Sequence, residues 1–227
     1  MVPQNINIVG TSHVASESVR EIERAFSGWK PEIVAVELDA TRLRALFDTK
    51  RRKGPSLAML RVGIAGFIFA LIGSYVQRKI GSSLGIEPGA EMKRAVELAG
   101  KNGAALALID QQIEITLYRF SKALGWREKL RIIADVCRGL LFPEREARLL
   151  GITSIDFSKV PAKELVATAL SLVKTRYPSI YRVLVEERNA MMARNIRHIR
   201  EHNPEKRILV VVGAGHVEGL SALLDSG

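Results

Sequence analysis

Four short apolar runs, each closed by a glycine or an acidic residue, constrain the fold of this 227-residue chain more than any other feature. Stretches with helical spacing separate them, and short runs that are apolar on both faces are typical of parallel strands covered by helices. We therefore predict one α/β domain over residues 1–227, with a mostly parallel central sheet flanked by helices. The first two runs form a βαβ unit, so we expect them to be neighbours. In chain order, the runs cover residues 6–9, 33–38, 104–109 and 208–212.

Chemically capable side chains follow all four runs. His13 and His216 stand in two glycine-histidine turns after the first and last runs, Glu37 closes the second, and Asp110 follows the third. Because parallel strands end at the same sheet edge, we expect these side chains to meet there. A glycine-flanked histidine can also simply complete a turn. Two of them beside a carboxylate favour a functional site.

Imidazole and carboxylate ligands suit divalent zinc, manganese or cobalt, and an open coordination position on such an ion activates water. The pattern therefore favours a metal held by His13, Glu37 and His216, and metal-dependent hydrolysis of a peptide or a related amide or ester. In that hypothesis Glu37 is either a ligand or the general base.

Two arginines are candidates for the same site. Arg42 lies one helical turn beyond Glu37, where it can pair with that carboxylate, clamp a substrate carboxylate or stay solvated. Asp39 is better placed as the N-cap of that helix. Arg188 lies in the last long helix, predicted over residues 179–202, and joins the site only if that helix crosses the strand ends.

An apolar helical insertion is predicted at residues 50–82. A basic run at residues 50–53 precedes an apolar stretch at 57–76, whose uninterrupted part at 62–76 is shorter than the roughly 20 residues that cross a bilayer. We interpret it as a buried or subunit-facing helix, consistent with a homo-oligomer. The alternative is a membrane-surface segment. In that case the chain is a non-catalytic, membrane-associated regulator that binds or sequesters a peptide signal.

Charge and composition indicate partners and compartment. With 34 Lys and Arg against 24 Asp and Glu, the chain carries a formal charge of +10, which attracts phosphates, anionic lipid or acidic partners. An aromatic content of 6% and the lack of a phosphate-binding loop disfavour nucleic acid and nucleotide cofactors. A single cysteine excludes an internal disulfide and, together with an N-terminus unlike a secretory signal, favours the cytoplasm, with membrane association as the alternative.

Four segments, taken together and in order, resemble the TraB family, also called pheromone-shutdown proteins. They are residues 9–14 (VGTSHV), residues 36–39 (VELD) with Arg42, residues 84–92 (LGIEPGAEM) and residues 211–219 (VVGAGHVEG). The resemblance covers nearly the whole chain. It also implies a relation to the Tiki metalloproteases and, more distantly, to the erythromycin-esterase and ChaN-like group, which share glycine-histidine motifs on an α/β core.

The resemblance carries expectations for individual residues. It implies that His13, Glu37 and His216 belong to the site. It also implies that Arg42 and Arg188 support the charge of the substrate or the transition state. Glu91 and Asp110 match family-like positions, and Asn189 stands where the family pattern leads us to expect aspartate.

Overall fold

The computed structural model describes residues 2–11, 15–48, 89–142 and 162–226 of the chain. The predicted insertion at residues 50–82 and its apolar stretch lie outside these residues, and so does His13. Most of the predicted strand and helix segments lie inside them.

A four-stranded parallel sheet forms the centre of the molecule, as predicted, and its strand order is β1-β4-β2-β3. The apolar runs become strands because they are short and rich in β-branched residues and alanine. β1, β2 and β4 are largely buried, whereas Ala105 and Leu106 of β3, at one edge of the sheet, are exposed. The α/β prediction is therefore confirmed. The strands are β1 (Ile6–Thr11), β2 (Ile33–Val36), β3 (Ala105–Leu108) and β4 (Ile208–Gly213).

The prediction that β1 and β2 are neighbours is wrong, because β4 lies between them. Val211 of β4 is in register with Val9 on one side and with Val36 on the other. Residues 208–212 are completely buried. The central position covers both edges and both faces of β4, the most apolar strand. The connection from β1 to β2 is long enough to leave room for one strand between them.

Nine helices surround the sheet within the described part of the chain, and a π-helical turn, Arg182–Glu186, joins the seventh to the eighth. They are α1 (Ala15–Trp29), α2 (Ala40–Phe47), α3 (Ala90–Lys101), α4 (Ile113–Ala123), α5 (Trp126–Leu141), α6 (Ala162–Arg176), α7 (Pro178–Tyr181), α8 (Glu187–His202) and α9 (Ala214–Asp225).

Two apolar cores, one on each face of the sheet, hold the layers together. Helices α1 and α3 cover one face through residues such as Ile22 and Ala95, and α8 and α9 cover the other through Met192, Ile196 and Leu220. Each of these five side chains is fully buried. The helices therefore hold the sheet from both faces.

Asp39 caps α2, as predicted. Its Oδ1 accepts hydrogen bonds from the backbone N–H groups of Thr41 at 2.7 Å and Arg42 at 3.1 Å. This cap begins the helix directly after β2 and sets the position of Arg42. No helix in the described residues combines the length and apolar character needed to cross a bilayer.

Candidate functional site

Three of the four residues predicted to meet at the carboxyl edge of the sheet do so. Glu37 directly follows β2, and its N–H donates to Val211 O at 3.0 Å, which continues the strand pairing. His216 lies in the first turn of α9, and its Nε2 is 3.4 Å from Glu37 Oε1. Asp110 follows β3 and joins the pair through Arg188. The fourth residue, His13, lies outside the described residues.

Arg188 links the members of this group, because it lies in the first turn of α8 and its guanidinium reaches residues that follow β2, β3 and β4. Its Nη2 donates to Glu37 Oε1 and to Asp110 Oδ2, the latter at 2.5 Å. Its Nε reaches Asp110 Oδ1 at 3.2 Å, and its Nη1 lies 3.1 Å from His216 Nε2. The predicted condition for a functional Arg188 is met, and one guanidinium links all three strand-end residues.

The π-helical turn Arg182–Glu186 closely precedes Arg188. Such a turn inserts one residue into the helical ladder and changes the direction in which the following side chains point, and it occurs often at functional sites. Arg188 Nη1 also donates back to Leu184 O at 3.3 Å. The turn therefore both leads the chain to Arg188 and supplies one of its acceptors.

Arg42 joins the group through Asp110, and the pairing with Glu37, one of its open alternatives, is not the one adopted. Its Nε donates to Asp39 Oδ2 at 2.6 Å, and its Nη2 donates to Asp110 Oδ2 at 2.5 Å. The cause is the N-cap, which draws Arg42 toward Asp39 and hence toward the end of β3. Asp110, whose side chain is fully buried, thus receives both guanidiniums.

The orientation of the His216 ring follows from its two partners. Nδ1 lies 2.7 Å from Asn189 Oδ1, which with the amide oriented this way can only accept, so Nδ1 carries the proton. Nε2 faces the permanently charged guanidinium of Arg188 and therefore accepts from it. The neutral ring consequently directs a lone pair at the centre of the site, which is the tautomer that metal-binding histidines use.

Replacing Asn189 by leucine should release this ring. The change removes the acceptor for Nδ1–H and leaves a buried donor unpaired, which costs about 1–3 kcal/mol of unfolding free energy. We expect ¹⁵N NMR of the imidazole to show a mixture of tautomers where the unaltered chain shows the Nδ1–H form. Asn195→Leu is the matched control, because its side chain donates only to the backbone of Ile109. A single unchanged tautomer in Asn189→Leu would contradict the assignment.

The carboxylate of Glu37 is held in its charged form. Burial by itself would raise its pKa, but the neighbouring His216, the guanidinium of Arg188 and the N–H of Gly213 outweigh burial and hold the pKa well below its usual range. Gly213 N donates to Glu37 Oε2 at 2.6 Å. The same pairing raises the pKa of Arg188 against the opposing effect of its own burial. At neutral pH Glu37 is therefore an anionic partner and a weak base.

Acid should consequently weaken the fold through Glu37. The folded-state pKa lies below the value of about 4.3 in an unfolded chain, so the stabilisation is complete above that pH and is lost as the pH falls below it. Urea unfolding between about pH 6 and pH 3 should show a steep loss of stability in the unaltered chain and a shallower one in Glu37→Gln. Glu97→Gln is the control, since this half-exposed residue pairs only at 3.7 Å with Arg94. Equal slopes in all three chains would contradict the prediction.

Glu91, another candidate that the resemblance implies, is buried in the first turn of α3. His198 and His202 lie exposed on α8, as predicted for surface residues, with ring centroids 4.3 Å apart.

The donor set fits a divalent ion only in part. Two ligands of a tetrahedral zinc ion, with bonds of about 2.0–2.1 Å, lie about 3.4 Å apart, and Glu37 Oε1 and His216 Nε2 have that separation. The charges also fit, because the carboxylates of Asp39, Glu37 and Asp110 outnumber the two guanidiniums. However, no group of three or more His, Cys, Asp or Glu residues in the described part of the chain is arranged to hold an ion. Among the described residues, Glu37 and His216 are therefore the two side chains with the spacing of metal ligands.

Sequence reasoning missed the positioning groups of the site. The sequence pattern marks Asn189 only as a departure from the aspartate expected there, yet its amide orients the ring of His216. A Cβ on Gly219 would lie 2.2 Å from Asn189 Nδ2, so this glycine makes room for the amide. The sequence did offer a hint that these two residues belong to the site: Asn189 directly follows Arg188, and Gly219 stands three residues after His216. Only the packing of α8 against α9 connects them.

Comparison with known proteins identifies the family of this chain. The model of the TraB/PrgY/gumN family matches residues 3–226. An uncharacterized protein of Methanocaldococcus jannaschii is 36% identical over 95% of this chain and 52% of its own length. TraB domain-containing proteins of Homo sapiens and Mus musculus are 25% and 26% identical, again over 95% of this chain and over 61% of theirs. The chain thus spans about half to three fifths of these relatives, and it belongs to the TraB/PrgY/gumN family.

Proposed function

We propose that this chain is a metal-dependent hydrolase of a peptide or a related amide or ester bond. The observation that carries the proposal is the oriented imidazole of His216, whose Nε2 lone pair faces the ionised carboxylate of Glu37 at 3.4 Å. A divalent zinc, manganese or cobalt ion would be held by His216, Glu37 and His13. When bound, such an ion would activate a water molecule and polarise the scissile carbonyl group.

The environment of Glu37 favours the ligand over the general base among its two predicted roles. A carboxylate whose pKa is strongly lowered holds a proton poorly, so it is a weak base but a reliable anion. The hydrogen bond from Gly213 N fixes Oε2 and leaves Oε1 directed at His216. Glu37 therefore supplies fixed negative charge beside the imidazole.

Arg188 would stabilise negative charge during the reaction. With Glu37 and His216 holding an ion, Arg188 would release the N–H groups that it now directs at those two residues, while Asp110 would keep hold of the guanidinium through Nε and Nη2. The freed N–H groups would then face the carbonyl oxygen of a substrate, where charge develops. Arg42 stays tied to Asp39 and Asp110, so its part is to position Asp110.

A cavity of about 800 Å³ lies beside α9, between α6, α8, α9 and β1. Its lining includes Asn189, which bonds to His216, but none of Glu37, Asp110, Arg188 and His216. Val166, Leu170 and Val217 are among its apolar walls. A space of this size suits a peptide side chain or a compact small molecule.

Metal titration tests the proposal. Chelator-treated protein should bind zinc, manganese or cobalt in calorimetry, and His216→Ala and Glu37→Gln should each weaken binding by about a hundredfold or more. His13→Ala should behave in the same way. The matched control is the double variant His198→Ala with His202→Ala, which removes two exposed histidines. Equal metal content in all variants would overturn the metal site.

Cleavage of a mixed peptide and ester library, followed by mass spectrometry, tests the reaction itself. We expect products only from the metal-loaded chain, and none from His216→Ala. Metal binding at the predicted residues without any cleavage would overturn the hydrolase and leave a metal-binding protein.

A further inference from the structure

Helix α5 carries an apolar stripe that points away from the rest of the described structure. Trp126, Leu130, Ile133 and Leu141 recur at helical spacing and are 68%, 56%, 59% and 71% exposed. Phe142, at the end of the helix, is 55% exposed. Scattered exposed apolar residues are ordinary, but a continuous stripe along a whole helix marks a surface that binds something.

The opposite side of α5 is firmly attached, so the stripe is held facing outward. Glu128 Oε1 accepts from Ser179 N at 3.1 Å, and Asp135 accepts from Arg176 Nε at 2.6 Å and from Tyr177 O–H. These bonds lower the pKa of Asp135, with the hydrogen bond from Arg176 as the largest cause. Ile132 packs into a small core on the same side.

Charge distinguishes the kind of partner. Glu128 and Asp135 are the only acidic residues of α5, and both are bound to neighbouring elements on its attached side. Four basic side chains of α5 are exposed, namely Arg127, Lys129, Arg131 and Arg138. Arg131 and Arg138 bond on the attached side, to Arg176 O and to Asp135, whereas the guanidinium of Arg127 lies 5.5 Å from the centre of the Trp126 ring. A second copy of the chain packed on the stripe would place these cations next to the same cations of the other copy, and like charges repel.

We propose that α5 is a membrane-docking helix that lies in the interface of an anionic lipid bilayer. Its apolar stripe would enter the boundary between headgroups and acyl chains, with Trp126 at headgroup level. Arg127 and Lys129 would reach the lipid phosphates, a geometry that long basic side chains adopt readily. The surplus of ten positive charges in the whole chain would add attraction at longer range.

Flotation of the full-length chain with vesicles tests the proposal. It should float with phosphatidylcholine vesicles that contain about 30 mol% phosphatidylserine, and much less with phosphatidylcholine alone, with binding weakened by added salt. Ile133→Glu should reduce flotation about tenfold, because it places a carboxylate on the stripe. Phe47→Glu is the matched control, since Phe47 is a similarly exposed apolar residue on α2. Unchanged flotation of Ile133→Glu would overturn the proposal, even if the chain bound lipid elsewhere.

Two further measurements separate lipid insertion from general basic charge. Arg127→Gln with Lys129→Gln should weaken flotation more than Arg20→Gln with Arg24→Gln, an equal loss of exposed charge on α1. In a Trp29→Phe background, Trp126 is the remaining tryptophan, and its emission should shift to the blue and be quenched by brominated lipid. Unquenched emission would overturn insertion, and a concentration-dependent dimer lost in Ile133→Glu would identify a second copy as the occupant instead.

Discussion

Replacing Arg188 by methionine should lower the free energy of unfolding by about 3–5 kcal/mol, one of the largest effects of any single substitution at this site. Methionine keeps most of the side-chain volume but leaves Glu37 and Asp110 without their shared cation. The side chains of these two carboxylates are only 12% and 0% exposed. Asp110 keeps its pairing with Arg42, but Glu37 loses the cation that faces its Oε1, so a buried carboxylate is left without its charged partner. Urea unfolding at neutral pH measures the loss.

Arg94→Met provides the matched control for this prediction. Arg94 donates to Glu23 at 2.6 Å, a distance as short as those of Arg188, but the two side chains are 38% and 41% exposed. Solvent screens this pair, and its loss should cost no more than about 1 kcal/mol. Equal costs for Arg188→Met and Arg94→Met would contradict the view that burial makes Arg188 critical.

A divalent ion should restore part of the stability of Arg188→Met, because it can supply positive charge to Glu37 and His216 where the guanidinium was. The same ion should stabilise the unaltered chain less, since Arg188 competes for the same atoms. Destabilisation without recovery would support the buried ion pairs and count against the metal site. The two conclusions can therefore fail separately.

The second large effect is expected at Gly10, near the end of β1. A Cβ built there would lie 2.4 Å from Val217 Cγ2 and 3.4 Å from Ala214 Cα, so Gly10→Ala forces α9 away from the sheet. We expect a loss of about 1–3 kcal/mol of unfolding free energy. Because α9 carries His216, the displacement should also weaken metal binding at the proposed site.

A double-mutant cycle with Val217→Ala checks the cause. Removing the two methyl groups makes room for the new Cβ, so the double variant should be more stable than the sum of the two single costs predicts. Gly100→Ala is the control, because nothing lies within 4 Å of a Cβ at that helical position and alanine favours the helix by up to about 1 kcal/mol. Additive costs in the cycle would contradict the proposed clash.

Much of the site could be predicted because parallel strands end at one edge. Glu37, Asp110 and His216 are far apart along the chain, yet each follows an apolar run, and this rule alone brings them together. The cap at Asp39 was predictable for a similar reason, since a helix start needs a short acceptor within a few residues. Local pattern was sufficient in these cases.

Other features depend on contacts that no local pattern encodes. The position of β4 between β1 and β2 is settled by the competition of all four strands for burial. Arg42 pairs with Asp110 and not with Glu37, because the hydrogen bond to Asp39 directs its guanidinium toward the end of β3. The guanidinium of Arg188 contacts residues that follow three different strands. It does so directly after a π-helical turn, which the spacing of apolar residues does not reveal.

The sequence by itself determined the class of fold, the shared sheet edge and the family, because each follows from short runs of residues read in order. Only the tertiary structure decided which charges pair, which tautomer His216 adopts and that α5 presents its apolar face outward. These depend on distances of a few ångströms between segments remote in sequence. Hydrogen bonds and buried ion pairs are sensitive to such distances, while the hydrophobic pattern that selects the fold is not.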